Sequence, residues 1–281
     1  MLASLALVDE WDAGPVAVGV LDATGVLARH GPTSEVRPLA SVTKLFSALA
    51  IHVAAEEGAL SLDDAAGPPG ATLAHLLAHA SGLSPADPAH VLARPGQRRI
   101  YSNAGYDLAG AHAERATGIA FGDYMREGVL APLGATGVRL VGSPARDGWG
   151  SVEDLLLLAA ELLTPALVHP ETAAAMRRVA FPGIAGVVPD FGRQDPCDWG
   201  LGPEIAGHKH PHWTGGRRSS ASFGHFGQSG SFVLVDPEAR LACVVLCTRP
   251  FGPWARTAWP AFVDALFSEL GVAPADGEPP N

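Results

Sequence analysis

Hydrophobic and polar positions recur along this chain with spacings that predict its elements. Val16 to Leu21 and Val26 to His30 read as two short strands, with Asp22-Ala-Thr-Gly25 as the turn between them. Ser41 to Glu57 carries alanine and leucine on a continuous face and predicts a helix stopped by Gly58. Ala71 to His79 predicts a shorter helix ended by Ser81-Gly82, Ala104 to Thr117 another ended by Gly118, and Phe121 to Leu130 a third ended by Pro132. Ser151 with Asp154 resembles a capping box opening a helix over Leu155–Leu163.

Between Pro182 and Ser222 the periodicity fades into Gly, Pro, His and Trp, with one short strand predicted near Trp199–Ile205. Ser231 to Val235 and Leu241 to Thr248 then read as a hairpin around Asp236-Pro237-Glu238. A closing helix is predicted from about Trp254 to Leu270, kinked or split by Pro260, before a polar, proline-containing tail after Gly271. Strands at both ends can pair into one antiparallel sheet, and the helical middle forms an inserted lobe. The expected layout is a single α+β domain over 1–281. Its sheet lobe comprises about 1–40 and 220–281, and its helical lobe about 41–219, with a cleft where they meet.

Composition sharpens this in three ways. With 47% hydrophobic and 17% charged residues in 281, the chain is globular and long enough for one sizeable core. A net charge of -10 argues against nucleic-acid or anionic-membrane partners, which select basic surfaces. Of 19 Lys+Arg, only Lys44 and Lys209 are lysines, so each lysine needs a reason. Cys197, Cys243 and Cys247 form no disulfide framework. Cys243 and Cys247 stand roughly 13 Å apart along one strand, and buried free thiols are expected. The apolar start, Met1 to Val8, lacks a basic segment, and Leu155 to Val168 is interrupted by Glu161 and Pro165. Neither reads as a signal peptide or a membrane span, and a soluble, cytoplasmic protein is expected.

The candidate chemistry begins at the first lysine. In Ala40-Ser41-Val42-Thr43-Lys44, Ser41 sits at the predicted helix start and Lys44 lies three residues on, along the same face. A serine hydroxyl is a weak nucleophile that needs a base. A lysine becomes one only when burial lowers its pKa. A helix N-terminus also turns N–H groups toward a developing oxyanion. The motif alone is weak, because a serine three positions before a given lysine arises by chance roughly 6% of the time. A helix cap beside a solvated charge explains it equally well.

Tyr101-Ser102-Asn103 precedes the next long helix. A phenol beside an ammonium can lose its proton more easily and relay protons, and an amide can meet a substrate carbonyl. His225-Phe226-Gly227 opens the stretch before the strand at Ser231, where a glycine lets a substrate backbone approach. Read singly, each is ordinary turn chemistry.

Together, Ser-x-x-Lys, Tyr-x-Asn and His-x-Gly occur in an order and at spacings that resemble the catalytic motifs of the serine beta-lactamase and penicillin-binding-protein superfamily. The similar branch holds class C beta-lactamases, D-alanyl-D-alanine carboxypeptidases, D-aminopeptidases and related esterases. Leu76-Leu-Ala-His-Ala-Ser-Gly-Leu83, Ile100-Tyr-Ser-Asn-Ala-Gly-Tyr106, Pro132-Leu-Gly134, Trp199-Gly-Leu-Gly202 and Val235-Asp-Pro-Glu238 extend the likeness over roughly 16–270.

The resemblance implies a beta-lactamase/transpeptidase-like fold and a serine hydrolase without metal or cofactor. Ser41 is the implied acylated nucleophile, and Lys44 and Tyr101 share the acid and base work. Asn103 orients the substrate amide or carbonyl, and His225 and Gly227 border it. The backbone N–H groups of Ser41 and Gln228 form the oxyanion hole. Class C enzymes carry Lys-Thr-Gly where this chain has His225-Phe226-Gly227. A neutral histidine removes a cation that would meet a beta-lactam carboxylate, and Phe226 should narrow or reshape the pocket. An esterase or amidase acting on a small ester or peptide-like substrate is therefore expected, ahead of a beta-lactamase or a non-catalytic ligand-binding relative.

Other groups receive plainer readings. His208, His210 and His212 alternate and could meet a zinc, but Pro211 and the loop character favour a solvated insertion. Lys209 within it is expected to be a surface charge. His79 is expected to be a hydrogen-bonded structural histidine. Gly227-Gln-Ser-Gly-Ser231 lacks the last glycine of a nucleophile elbow.

Overall fold

The computed structural model describes residues 2–273, so the end of the tail beyond Gly271 lies outside the described residues. A 3₁₀ segment, Ala3–Glu10, leads into β1 (Ala17–Asp22) and β2 (Gly25–His30). After β3 (Arg37–Pro38), a 3₁₀ turn at Ala40–Val42 runs directly into α1 (Thr43–Glu56). The middle of the chain contributes α2 (Leu73–Leu77), α3 (Asn103–Thr117), α4 (Phe121–Met125), a π-turn at Arg126–Leu130 and α5 (Ala131–Leu133). Next come β4 (Arg139–Leu140), β5 (Gly148–Gly150), α6 (Val152–Leu163) and α7 (Pro170–Met176). A small hairpin, β6 (Gly186–Val188) and β7 (Gly192–Gln194), precedes β8 (Glu204–Ile205). The chain closes with β9 (Phe223–Gly227), β10 (Ser231–Asp236), β11 (Leu241–Leu246) and α8 (Ala255–Glu269).

The two ends of the chain build one six-stranded antiparallel sheet, ordered β2-β1-β11-β10-β9-β8. Its central strands are buried on both faces, which is why β10 and β11 read as continuous apolar runs. Val233, Val235, Ala242, Val244 and Leu246 face the core shared with α1, α3 and α6. Phe232, Leu234, Cys243, Val245 and Cys247 face a second core under α8 and the N-terminal segment. The period of two along a strand sorts the side chains between these layers. Gly19 in β1 has a specific purpose, because a Cβ there would lie 2.8 Å from the Leu156 side chain of α6. The three cysteines are free and buried.

Several elements match their sequence signals. The Ser151–Asp154 capping box is present, with each side chain bonded to the other's backbone N–H. Pro260, expected to kink or split the last helix, sits inside α8 without splitting it. The proline removes one bond to the Arg256 carbonyl, and Arg256 is exposed, so water can serve that oxygen. The helix over Phe121 does not stop at Pro132; it continues through the π-turn into α5 and ends at Gly134, whose φ of 75° makes the left-handed cap. Among the described residues, no helix is long and apolar enough to cross a membrane.

Candidate active site

Ser41 lies in the 3₁₀ turn between β3 and α1. Ala40 just before it adopts φ 46°, a left-handed conformation that a non-glycine residue holds only under surrounding constraint. The constraint comes from three sides. Leu39 N–H donates to Gly148 O at 2.8 Å, Ser231 Oγ donates to Leu39 O at 2.8 Å, and β9 crosses directly over the turn. Gly227 makes that crossing possible, because a Cβ there would collide with Leu39 O and Ser231 Oγ.

Thr43 to Ala54 of α1 are all buried, so Lys44 starts from a helix enclosed by the protein. Its side chain is 0% exposed. Nζ donates to Asn103 Oδ1 at 2.7 Å and to Ala145 O at 2.7 Å and lies 3.3 Å from Ser41 Oγ, and all three partners are neutral. It also stands 4.7 Å from the Tyr101 ring centroid. Burial pushes the Lys44 amine well below its ordinary value; Asp107 opposes this and Arg146 adds to it.

The Tyr101 hydroxyl donates to Ser41 Oγ at 2.7 Å. Its pKa moves opposite to the expectation that the neighbouring lysine would ease its deprotonation. Burial raises it, the Ser41 hydrogen bond only partly opposes this, and Glu204 raises it further. Tyr101 is therefore held as a protonated phenol. Asn103 opens α3, with Ser102 as the cap whose Oγ accepts from Gly105 N–H. Because Asn103 Oδ1 is taken by Lys44, it is the amide N–H side that remains for a substrate carbonyl.

His225 on β9 is 3% exposed, with its ring 5.8 Å from that of Tyr101 and 5.7 Å from that of Trp199. Burial, then Lys44, lower its pKa to about 3, so the ring is neutral at ordinary pH. Phe226 turns its ring toward Phe251 and Trp259 at 4.9 and 6.0 Å. Ser41, Tyr101, His225, Phe226 and Gln228, together with Glu204, border a pocket of about 30 Å³, room for roughly two waters. Among the described residues, the backbone N–H groups of Ser41 and Gln228 have no acceptor, as an oxyanion hole requires. The fold thus gathers Ser41, Lys44, Tyr101, Asn103, His225, Gly227 and Gln228 around one cleft.

Three supports escaped the sequence reading. Glu204 on β8 accepts from Lys209 Nζ at 3.0 Å, from His212 Nε2 at 3.1 Å and, at Oε2, from Trp213 Nε1 at 2.9 Å. Burial alone would raise its pKa, but Lys209, His212 and these hydrogen bonds outweigh it and hold the carboxyl well below the usual range. Lys209, expected at the surface, is 3% exposed; it also donates to Asp198 O at 2.6 Å and Ile205 O at 2.5 Å. The histidine run does not share a face: His208 and His210 are exposed, whereas His212 is buried between Glu204 and Thr214. No group of three or more metal-ligating side chains occurs among the described residues.

Arg99, two residues before Tyr101, is buried and donates to the carbonyls of Cys197, Ala78 and Ala180. His79 accepts from Ser102 N–H at 3.1 Å and lies against Tyr101 with ring centroids 4.4 Å apart. It is the structural histidine that its position after α2 suggests. The sequence signal for Glu204 was Lys209 itself, a second lysine in a chain that otherwise uses arginine.

The fold and the clustered serine, lysine and tyrosine define a serine hydrolase with the beta-lactamase architecture. The profile of the family described as Beta-lactamase matches residues 16–266, and the chain belongs to that family. It is similar to the crystal structure of a beta-lactamase from Mycobacterium bovis, with a TM-score of 0.94 and 48% identity over 95% of this chain and 99% of that one. EstCE1, a hydrolase with promiscuous acyltransferase activity, shares the fold with a TM-score of 0.77 and 18% identity, covering 94% of this chain and 96% of that one. An octameric penicillin-binding protein homologue from Pyrococcus abyssi does so with a TM-score of 0.72 and 21% identity, covering 94% of this chain and 74% of that one. No curated protein matches the sequence.

Proposed function

We propose that Ser41 attacks the carbonyl of a small ester or peptide-like amide and is acylated, and that water then releases the acyl group. The observation that carries this reading is Lys44, fully buried among neutral partners within 3.3 Å of Ser41 Oγ. A neutral amine has two N–H groups and one lone pair. Asn103 Oδ1 and Ala145 O account for the two donors, which leaves the lone pair for the Ser41 proton.

In acylation, the Ser41 proton passes to Lys44 Nζ as the Oγ–carbon bond forms. The carbonyl oxygen takes negative charge between the N–H groups of Ser41 and Gln228, where one such donor is typically worth about 2.7–4 kcal/mol. Tyr101 gives its proton to the leaving oxygen or nitrogen and regains one from Lys44. In deacylation, water loses a proton to the Tyr101–Lys44 pair, and that proton returns to Ser41 Oγ as the acid departs. Lys44 acts as a base because it can be neutral, which arginine cannot be.

Hydrolysis of p-nitrophenyl acetate by the wild-type protein and its loss in Ser41→Ala test this reading. Turnover that survives in Ser41→Ala contradicts it. A second reading, beta-lactam hydrolysis at the same serine, is favoured by the similarity to the Mycobacterium bovis protein described as a beta-lactamase. The neutral His225 weighs against it, and nitrocefin turnover separates the two.

A further inference from the structure

His79 meets the segment that carries Tyr101 at three points. Its carbonyl accepts from Ile100 N–H at 2.9 Å, and its Nδ1 accepts from Ser102 N–H at 3.1 Å. Its ring lies against the Tyr101 ring, with centroids 4.4 Å apart. One residue thus holds the backbone on both sides of Tyr101 and the side chain between. Arg99 fastens the same place, because its guanidinium donates at 2.6 Å to Ala78 O, the carbonyl just before His79.

The imidazole does more than fill space. A backbone N–H only donates, so Nδ1 is the acceptor and Nε2 carries the ring proton. Nε2 is buried without a hydrogen-bond partner among the described residues. His79 is 1% exposed, and the rings of Trp199 and Tyr106 lie 5.0 and 5.3 Å from its own. A phenylalanine would match those aromatic neighbours without the cost of an unmet N–H. What the imidazole adds is the Nδ1 lone pair for Ser102. Burial, followed by Lys44, His225 and Arg99, holds the ring pKa well below the ordinary 6.5, with Glu204 opposing, and so keeps that lone pair free of a proton. The placement matters because the Tyr101 hydroxyl must reach Ser41 Oγ, which it does at 2.7 Å. Misplacing a reacting group by about 1 Å can cost roughly 10²-fold in rate.

We propose that His79 is a positioning residue for the hydrolysis: through Ile100, Ser102 and the Tyr101 ring it sets the Tyr101 hydroxyl on Ser41, acting through Tyr101 and not on the substrate. This deepens the hydrolase reading above and rests on it. The backbone and the acceptor define which replacement can serve. Asparagine tolerates the left-handed φ of 54° and carries Oδ1 at the same point along its side chain as Nδ1. Phenylalanine keeps a ring and has no acceptor.

A kinetic cycle tests it. Rates with p-nitrophenyl acetate are corrected for spontaneous hydrolysis and divided by the active sites titrated with a fluorophosphonate, so unfolded protein does not enter. His79→Phe is expected to lower kcat at least about tenfold, with KM changed by less than about threefold. In the Tyr101→Phe background no hydroxyl remains to be misplaced, and the same substitution is expected to lower kcat by less than about threefold. His79→Asn is expected to keep kcat within about threefold of the wild-type value. Should His79→Phe not fold, His79→Gln, whose oxygen sits one atom beyond the Nδ1 position, takes its place with the same expectations. Equal losses in the two backgrounds, or a kcat per titrated site that His79→Phe leaves unchanged, overturn the proposal while leaving the hydrolase reading intact. A loss of about tenfold or more in His79→Asn does the same. Failure of the wild-type protein to hydrolyse p-nitrophenyl acetate overturns the hydrolase reading, and the proposal falls with it.

Discussion

Tyr101 and Ser41 meet through a 2.7 Å hydrogen bond in which the phenol donates to the serine oxygen. That bond fits the proposed division of roles, in which Tyr101 gives a proton and Lys44 takes one. Burial keeps Tyr101 protonated, while Lys44, the other group in contact with Ser41 Oγ, is the one that burial drives toward its neutral form. Tyr101→Phe removes the donor but keeps the ring packed against His79. It is expected to lower kcat by about 10²–10⁴, with a stability change of about 1 kcal/mol for one lost hydrogen bond. Steady-state kinetics and thermal melts check both.

Lys44→Arg removes the base, because arginine cannot be neutral. Activity is expected to fall by about 10²–10⁴ in kcat. The pH profile of kcat/KM in the wild-type protein reports the same group. Its ordinary pKa is 10.5 and the shift is strongly downward, so the rising limb is expected well below pH 10.5. A limb that rises near 10.5 contradicts a neutral Lys44.

Acid stability follows from the buried histidines. His225 and His212 have folded pKa values of about 3 and about 4, both below the ordinary 6.5. Between those values the unfolded chain binds protons that the folded protein refuses, so stability falls as pH drops from 6.5 toward 4. The slope is up to about 1.4 kcal/mol per pH unit for each group. Glu204, also depressed, adds loss of the same sign below its ordinary 4.5. Melting temperatures measured from pH 7 to 4 are expected to decline steadily; a flat curve contradicts this.

Gly227→Ala places a methyl group against Leu39 O and Ser231 Oγ. Both are fixed, one as the carbonyl just before Ala40 and the other by its hydrogen bond to that carbonyl. The variant is expected to lose about 1–3 kcal/mol and to slow kcat by displacing the Ser41 turn. Chemical denaturation and ester kinetics read the two effects.

The Glu204–Lys209 pair has side chains that are each 1% exposed. Lys209→Met leaves a buried carboxylate short of its cation and is expected to cost about 3–5 kcal/mol. Combining it with Glu204→Gln is expected to recover part of that loss, measured as a coupling in a double-mutant cycle.

The residues of the cleft were legible because the chemistry constrains residue type. A lysine at position 44 is rare in a chain that otherwise uses arginine, which could not serve as a base, and a Cβ at position 227 would collide with Leu39 O. The terminal strands were legible for a similar reason, since burial on both faces writes a continuous apolar run into β10 and β11. The burial of Lys209 was not, because its partners Glu204, Asp198 and Ile205 become neighbours only after the chain between 198 and 218 folds back on β8. The direction of the Tyr101 shift was hidden likewise: the nearby ammonium could be guessed from the motif, but the enclosing His79, Trp199 and His225 rings could not. The β6–β7 hairpin lies in a stretch whose glycines and prolines mask any strand period.

The central claim is that Ser41 carries the acyl group during turnover. Mass spectrometry of the protein quenched during hydrolysis of p-nitrophenyl acetate, or after reaction with a fluorophosphonate probe, tests it most directly. The expected result is a single adduct on the peptide containing Ser41, absent from Ser41→Ala and strongly slowed in Lys44→Arg. An unmodified Ser41 during active turnover, or an adduct on another residue, would contradict it.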